Sequence, residues 1–177
     1  MELTFGAENA RDLRQNLQRG TSSSLRRRRA IIGLSFAGMA AMGAVSLLQT
    51  GILRHLPDPP INGFDSDKVN SSETAYALGV PDGTLSLASL AANVPLTAWG
   101  GEDRAGVAPW LPVGFAMKAA IEAVIAGWYF YQMPAKQKAW CGYCIVGAAA
   151  NLGIALLAIP EAREAIRLRS VSDRNAY

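Results

Sequence analysis

What most constrains this chain is that its apolar residues come in long unbroken runs instead of the one-sided stripe of a surface helix. A helix needs about 20 apolar residues to cross the hydrocarbon core of a membrane, where no water is present to bond its backbone groups. Four segments meet that need, at residues 30–53, 84–99, 113–133 and 140–159. In the first, Gly33, Gly38 and Gly43 read as a close-packing face. The second is the shortest and holds Asn93 and Pro95. The third carries Lys118 and Glu122 and ends in Trp128-Tyr129-Phe130-Tyr131, an aromatic run suited to a membrane–water interface. The fourth contains Asn151 and is closed by Pro160.

A net charge of +3 and a pI near 9.1 raise nucleic acid as a partner. The placement of the charge argues against it, because the positive residues flank the first and last apolar runs. Arg11, Arg14, Arg19 and Arg26 to Arg29 precede the first run, Arg104 lies between the second and third, and Arg163, Arg167, Arg169 and Arg174 follow the last. With four spans all of these share one side, the cytoplasmic one, while Arg54, Lys68, Lys136 and Lys138 face outward. Three spans would send the Arg-rich tail outside.

The expected architecture is all-α: an integral membrane four-helix bundle in the cytoplasmic membrane, with both termini cytoplasmic and a large outer loop over residues 54–83. Residues 1–29 form a cytoplasmic arm, 30–160 the membrane domain and 161–177 a cytoplasmic tail. Thr21-Ser-Ser-Ser24 reads as a flexible joint. The arginine run before an apolar stretch is also the pattern of a signal peptide, but the stretch is long and three more follow, so the first helix is expected to be retained. Pro57, Pro59, Pro60 and Pro81 prevent one continuous helix in the outer loop, although residues 66–78 suit a short one. The loop carboxylates Asp58, Asp65, Asp67, Glu73 and Asp82 read as a solvated surface.

Chemistry points to the two cysteines, Cys141-Gly-Tyr-Cys144, at the outer start of the fourth span. Residues i and i+3 share a helix face, so the two thiols can meet and close as a disulfide. Free N–H groups and the dipole in a first helical turn favour thiolate, and Lys136 and Lys138 add to that. An attacking thiolate with a resolving thiol is the minimum equipment for thiol–disulfide exchange. The bland alternative is a pair of small buried hydrophobes. No His or Cys cluster has metal-ligand spacing, and His55, the one histidine, reads as a loop residue. With a membrane span as host, the redox partner is expected to be lipid-soluble, and quinone, confined to the bilayer and carrying two electrons, matches one dithiol. Trp140 and Tyr143 either stack on such a ring or belong to an interfacial belt.

The Cys-x-x-Cys opening the fourth of four spans, with Val69-Asn-Ser-Ser72 and Leu78-Gly-Val-Pro81-Asp82 leading into the second, resembles the vitamin K epoxide reductase family over roughly residues 30–160. The resemblance implies a quinone of ubiquinone or menaquinone type as co-substrate. It implies that Cys144 faces the quinone, that Cys141 exchanges disulfides with the electron donor, that Ser72 lies near the active disulfide, and that Asn70 and Tyr76 approach the pocket. One departure stands out. Family members usually carry a second cysteine pair in the outer loop, whereas here the loop runs Phe64-Asp-Ser-Asp-Lys-Val69, with Ser66 in the place of one of them. The internal electron shuttle is therefore lost. A thioredoxin-like protein or small thiol can act on the pair directly, a neighbouring subunit can supply the missing cysteines, or the fold has been reused for binding.

The expected function is a quinone-linked thiol–disulfide oxidoreductase, and the rival is a non-catalytic scaffold that holds quinone or lipid. Lys118 and Glu122, four apart on one helix face, are expected to pair with each other while Lys118 reaches the cytoplasmic surface. Asn93 and Asn151 are expected to bond between helices.

Overall fold

The computed structural model describes residues 10–174, and every regular element among them is helical. In order they are α1 (Ala10–Arg19), α2 (Ser23–Gln49), the short α3 (Ser66–Asn70), a 3₁₀ turn (Glu73–Tyr76), α4 (Asp82–Ala98), a single turn α5 (Arg104–Val107), α6 (Trp110–Gln132) running into a π-helical turn (Met133–Gln137), and α7 (Gly142–Arg174). Among the described residues, three helical stretches are long and apolar enough to cross a membrane, and these lie in α2, in α6 with its π turn, and in α7. α4 is apolar too, but its 17 residues reach only about 25 Å at 1.5 Å per residue.

α7 packs against both α2 and α6, and α2 also packs against α4; α4 and α6 touch only lightly, which leaves a cleft between them. Ile31, Met42 and Val45 of α2 meet Leu90, Phe115 and Ile154 in the core. Met117, Ile121, Val124 and Trp128, spaced as one stripe along α6, are all more than half exposed. An apolar stripe on the outside is the inverse of a water-soluble helix and suits a lipid surround.

The helix ends depart from the apolar runs for identifiable reasons. α2 starts at Ser23, inside the expected flexible joint, because the Ser22 hydroxyl accepts a hydrogen bond from the Leu25 N–H and caps it. This brings Arg28 into the helix and under the surface. Its guanidinium donates to the carbonyls of Thr97, Trp99, Gly100 and Gly101 at 2.8–3.0 Å, one in the last turn of α4 and three in the segment just after it. α7 does not stop at Pro160 but continues to Arg174. An interior proline forfeits a backbone bond; here the far side is anchored by Glu161, which accepts two bonds from Arg104 at 2.6 and 2.7 Å, and by the buried Ala162 and Ala165.

Only one of the three α2 glycines makes a close contact. A Cβ on Gly38 would lie 2.9 Å from Leu90 and 3.2 Å from Ala150, whereas Gly33 and Gly43 face open space. Spacing of five turns each glycine well away from the last, so the three do not share a face.

The segment between α2 and α4 is folded down over the start of α7. Trp140 donates its N–H to the Gly63 carbonyl at 2.8 Å and accepts from the Asp65 N–H at 2.9 Å. Four of the five carboxylates expected to be solvated have structural tasks. Asp58 accepts from both the backbone N–H and the hydroxyl of Ser66, at 2.8 and 2.6 Å. Asp65 caps α3 through the Lys68 N–H, and Asp82 accepts from Gln49 at 2.7 Å. Asp67 accepts from the Leu56 N–H and pairs with His55 at 2.5 Å, so the histidine does have a partner.

Candidate functional site

α7 begins at Gly142 rather than residue 140, which places Cys141 at the N-cap position and Cys144 at the third residue of the helix. The Cys141 carbonyl accepts the first helical bond, from the Ile145 N–H, at 3.0 Å, and its sulfur accepts from the Cys144 N–H at 3.1 Å. A sulfur thus does what a serine or aspartate oxygen does at other helix starts. The interaction strengthens when that sulfur is a thiolate.

Asn70, at the end of α3, lies between the two cysteines. Its Nδ2 donates to Cys141 Sγ at 3.2 Å and to the Ser66 carbonyl at 2.7 Å, and its Oδ1 accepts from the Cys144 thiol at 3.4 Å. One amide therefore offers a donor to Cys141 and an acceptor to Cys144, the pattern that suits a thiolate at the first and a thiol at the second. The Cys141 thiol, one residue ahead of the helix, is lowered to about 6; the Cys144 side chain contributes most, burial opposes, and Ser66, Asn70 and the Cys144 N–H add smaller support. Cys141 is fully buried and packs with Val69, Met133 and Ala139, while Cys144 is partly exposed.

Cys144 is exposed toward a cavity of about 400 Å³ bounded by α2, α4, α6, α7 and the 3₁₀ turn. Met42, Leu85, Ile125 and Phe130 give it apolar walls. Leu85 and Ile125 line it and are also exposed, marking a mouth in the cleft between α4 and α6. That size is within the range of small-molecule sites, and the walls suit an apolar ligand that enters between α4 and α6. Among the described residues, no group of three or more His, Cys, Asp or Glu is placed to hold a metal ion.

The seven residues singled out from the sequence divide into two groups. Cys141, Cys144 and Asn70 form one hydrogen-bonded unit, and Ser72 lines the cavity while its hydroxyl donates to the Val69 carbonyl at 2.8 Å. Tyr76, Trp140 and Tyr143 lie outside the cavity lining and hold the loop: Tyr76 donates to the Gln49 carbonyl, Tyr143 donates to the Pro57 carbonyl, and Trp140 forms the bridge to Phe64 and meets Phe130 in a tilted ring contact with centroids 5.4 Å apart. Ser66 is completely buried beside Cys141.

The residues that sequence reasoning did not connect to the cavity are Asp82, Ser89 and Glu122, all of which line it. Glu122 does pair with Lys118 at 2.5 Å, but Lys118 turns toward α4, donating to Asn93 Oδ1 at 2.6 Å and the Ser89 carbonyl at 3.1 Å, instead of reaching the helix end. The i, i+4 spacing signalled the pair; nothing local signalled the second helix. Asn93 bonds between helices as expected, whereas Asn151 bonds within its own, to the Gly147 carbonyl, and also lines the cavity.

Comparison with known proteins gives one match. Residues 29–159 match the vitamin K epoxide reductase family, whose members are membrane-integral and in general couple thiols to quinones. Neither the curated proteins nor the solved structures yield a match. The matched stretch covers most of the chain and includes the cysteine pair, α3 and the cavity walls, so this chain belongs to the vitamin K epoxide reductase family.

Proposed function

We propose that the protein is a quinone-linked thiol–disulfide oxidoreductase of the cytoplasmic membrane, with Cys141 and Cys144 as its redox pair. The observation that carries this reading is the division between the two sulfurs: Cys144 lines an apolar, lipid-side cavity, while Cys141 caps the helix beneath the outer loop. α4 acts as a fourth span, its short length met by local thinning of the bilayer. Both termini then lie in the cytoplasm, and the cysteines are at the outer side.

In the oxidised enzyme Cys141 and Cys144 are joined. A donor thiolate attacks Cys141 Sγ, breaking that disulfide, releasing Cys144 as thiolate and forming a mixed disulfide. A second donor thiol resolves it, leaving a disulfide on the donor and the Cys141–Cys144 pair reduced by two electrons. The bound quinone supplies a two-electron, two-proton sink, and electrons pass to it from the reduced pair as the disulfide closes again. Asn70 holds Cys141 in its thiolate form and keeps the Cys144 thiol aligned with the cavity. Since Cys141 is fully buried, a donor reaches it only when residues 64–70 lift from the start of α7. A thioredoxin-like protein or a small thiol serves as donor, because the loop has no cysteine of its own.

The test is reduction of a short-tailed quinone analogue by purified protein supplied with a reduced dithiol. Wild type is expected to turn over, and Cys141→Ser and Cys144→Ser are each expected to be inactive. Ordinary turnover in both variants would refute the assignment.

A further inference from the structure

The cavity has a second polar region besides the cysteine end. Ser89 on α4, Glu122 on α6 and Asn151 on α7 line it. Along α7, Cys144 and Asn151 are seven residues apart, about 10 Å at 1.5 Å per residue. That is close to the span of a para-quinone ring with a hydrogen-bonding or sulfur contact at each end.

The chemistry at Glu122 is one-sided. Glu122 Oε1 accepts from Lys118 and from the Ser89 hydroxyl, which neutralises and fixes the carboxylate. The Lys118 ammonium is committed in turn to Glu122, Asn93 and Ser89. Glu122 Oε2 is buried and accepts no hydrogen bond within the protein. A buried acceptor with no donor is costly, and more so in a membrane interior. The polar function that Glu122 can still offer a ligand is therefore an acceptor, while Asn151 spends one amide N–H on the Gly147 carbonyl of its own helix.

Resting on the quinone-linked reading above, we infer that the inner end of the cavity is a subsite for a ligand hydroxyl, in which Glu122 Oε2, positioned by Lys118 and Ser89, accepts a hydrogen bond from the oxygen farther from Cys144. A quinol has a hydroxyl there and satisfies the carboxylate. A quinone has a carbonyl, also an acceptor, and does not. The subsite thus recognises the reduced form of the ligand by its hydrogen-bonding direction, as a site built for a donor rejects an analogue lacking it.

The test is equilibrium binding of one short-tailed naphthoquinone in its oxidised and reduced forms to full-length protein in lipid nanodiscs, with Cys141→Ser as background to prevent turnover. The reduced form is expected to bind about tenfold more tightly, the scale of one hydrogen bond to a charged acceptor. Glu122→Gln presents an amide N–H as well as a carbonyl and is expected to erase that preference. Lys118→Met combined with Glu122→Gln removes both charges, so that an unpaired lysine is not left behind, and is expected to erase it too. Equal affinities in the parent, or a preference unchanged in both variants, overturns the subsite and leaves thiol-dependent quinone reduction by wild type standing. Failure of the parent to bind either form, together with no turnover by wild type, overturns the quinone reading itself.

Discussion

Two charged clusters lie inside this apolar bundle, and they are completed to different degrees. Near the end that carries α1 and the tail of α7, Arg28 and Arg104 have every guanidinium nitrogen bonded, to five carbonyls in the last turn of α4 and the segment after it and to both oxygens of Glu161. Toward the other end, Glu122 has one oxygen bonded twice and the other without a donor, beside a cavity. In a low dielectric a fully satisfied network fixes backbone ends in place, while a partly satisfied one beside open space retains capacity for a ligand. The first cluster closes a helix end and the second faces the chemistry.

The sharpest way to break the comparison is to remove one carboxylate from each cluster. Glu161→Ala leaves the Arg104 charge buried without its partner, and the expected cost is about 3–5 kcal/mol. Thermal unfolding in detergent should show it as a large loss of stability. Glu122→Gln should lose less, because the Lys118 side chain is 27% exposed whereas that of Arg104 is 2% exposed, and Lys118 keeps its bonds to Asn93 and to the Ser89 carbonyl. Equal losses would mean that the two clusters are the same kind of structural tie.

A smaller effect is expected from Asn70→Ala, which removes the donor to Cys141 and the acceptor from Cys144. The Cys141 thiol should move up from about 6 toward the ordinary thiol range, since one of the groups favouring its thiolate is gone. The sign for stability follows. A depressed pKa stabilises the folded dithiol form fully above the ordinary thiol value, and that gain is lost as pH falls through about 6. The disulfide form carries no such dependence. The melting temperature of the reduced protein should rise relative to that of the oxidised protein as pH increases across that interval in wild type, and rise less in Asn70→Ala.

Three of the four expected spans were legible because hydropathy is additive along a sequence, while the 17 residues of α4 fall short of that signal; the proximity of the two cysteines was legible in their spacing. The helix ends were not, because distant residues set them. Arg28 reaches α4 across 69 or more positions to its acceptors, and Arg104 holds α7 past a proline that would otherwise stop it. Asn70 could be named only through the family resemblance, since no local pattern links it to a cysteine 71 residues away. Ser89 and Glu122 escaped for the same reason: their relation is a crossing of α4 and α6, and periodicity reports only one helix at a time.

Ser66 gives a subtler test of the cysteine end. It is buried against Cys141 and tied by two bonds to Asp58. Ser66→Cys should form a disulfide with Cys141 under mild oxidation, seen as loss of two alkylatable thiols in a Cys144→Ala background. Failure to form it would mean that the loop is more rigid over α7 than donor access requires.

The smallest effect is expected at His55, which clips the loop through Asp67. Hydrogen bonding to Asp67 raises the His55 pKa; burial opposes the lowering at Asp67, but the bonds from His55 and the Leu56 N–H outweigh it. The clip is charged on both sides between those two pKa values. Its contribution is lost as pH rises through the raised value of His55, and also as pH falls through the depressed value of Asp67. Because the histidine is exposed, solvent screens the pair and the effect on global stability should be slight. Loop opening is the more sensitive readout, since it needs only local release. His55→Gln should speed alkylation of Cys141 relative to wild type below the histidine's pKa and leave the rate unchanged above it, where the wild-type clip has already lost its charge. A rate increase that persists equally above that pKa would assign the tether to the shape of the side chain instead of its charge.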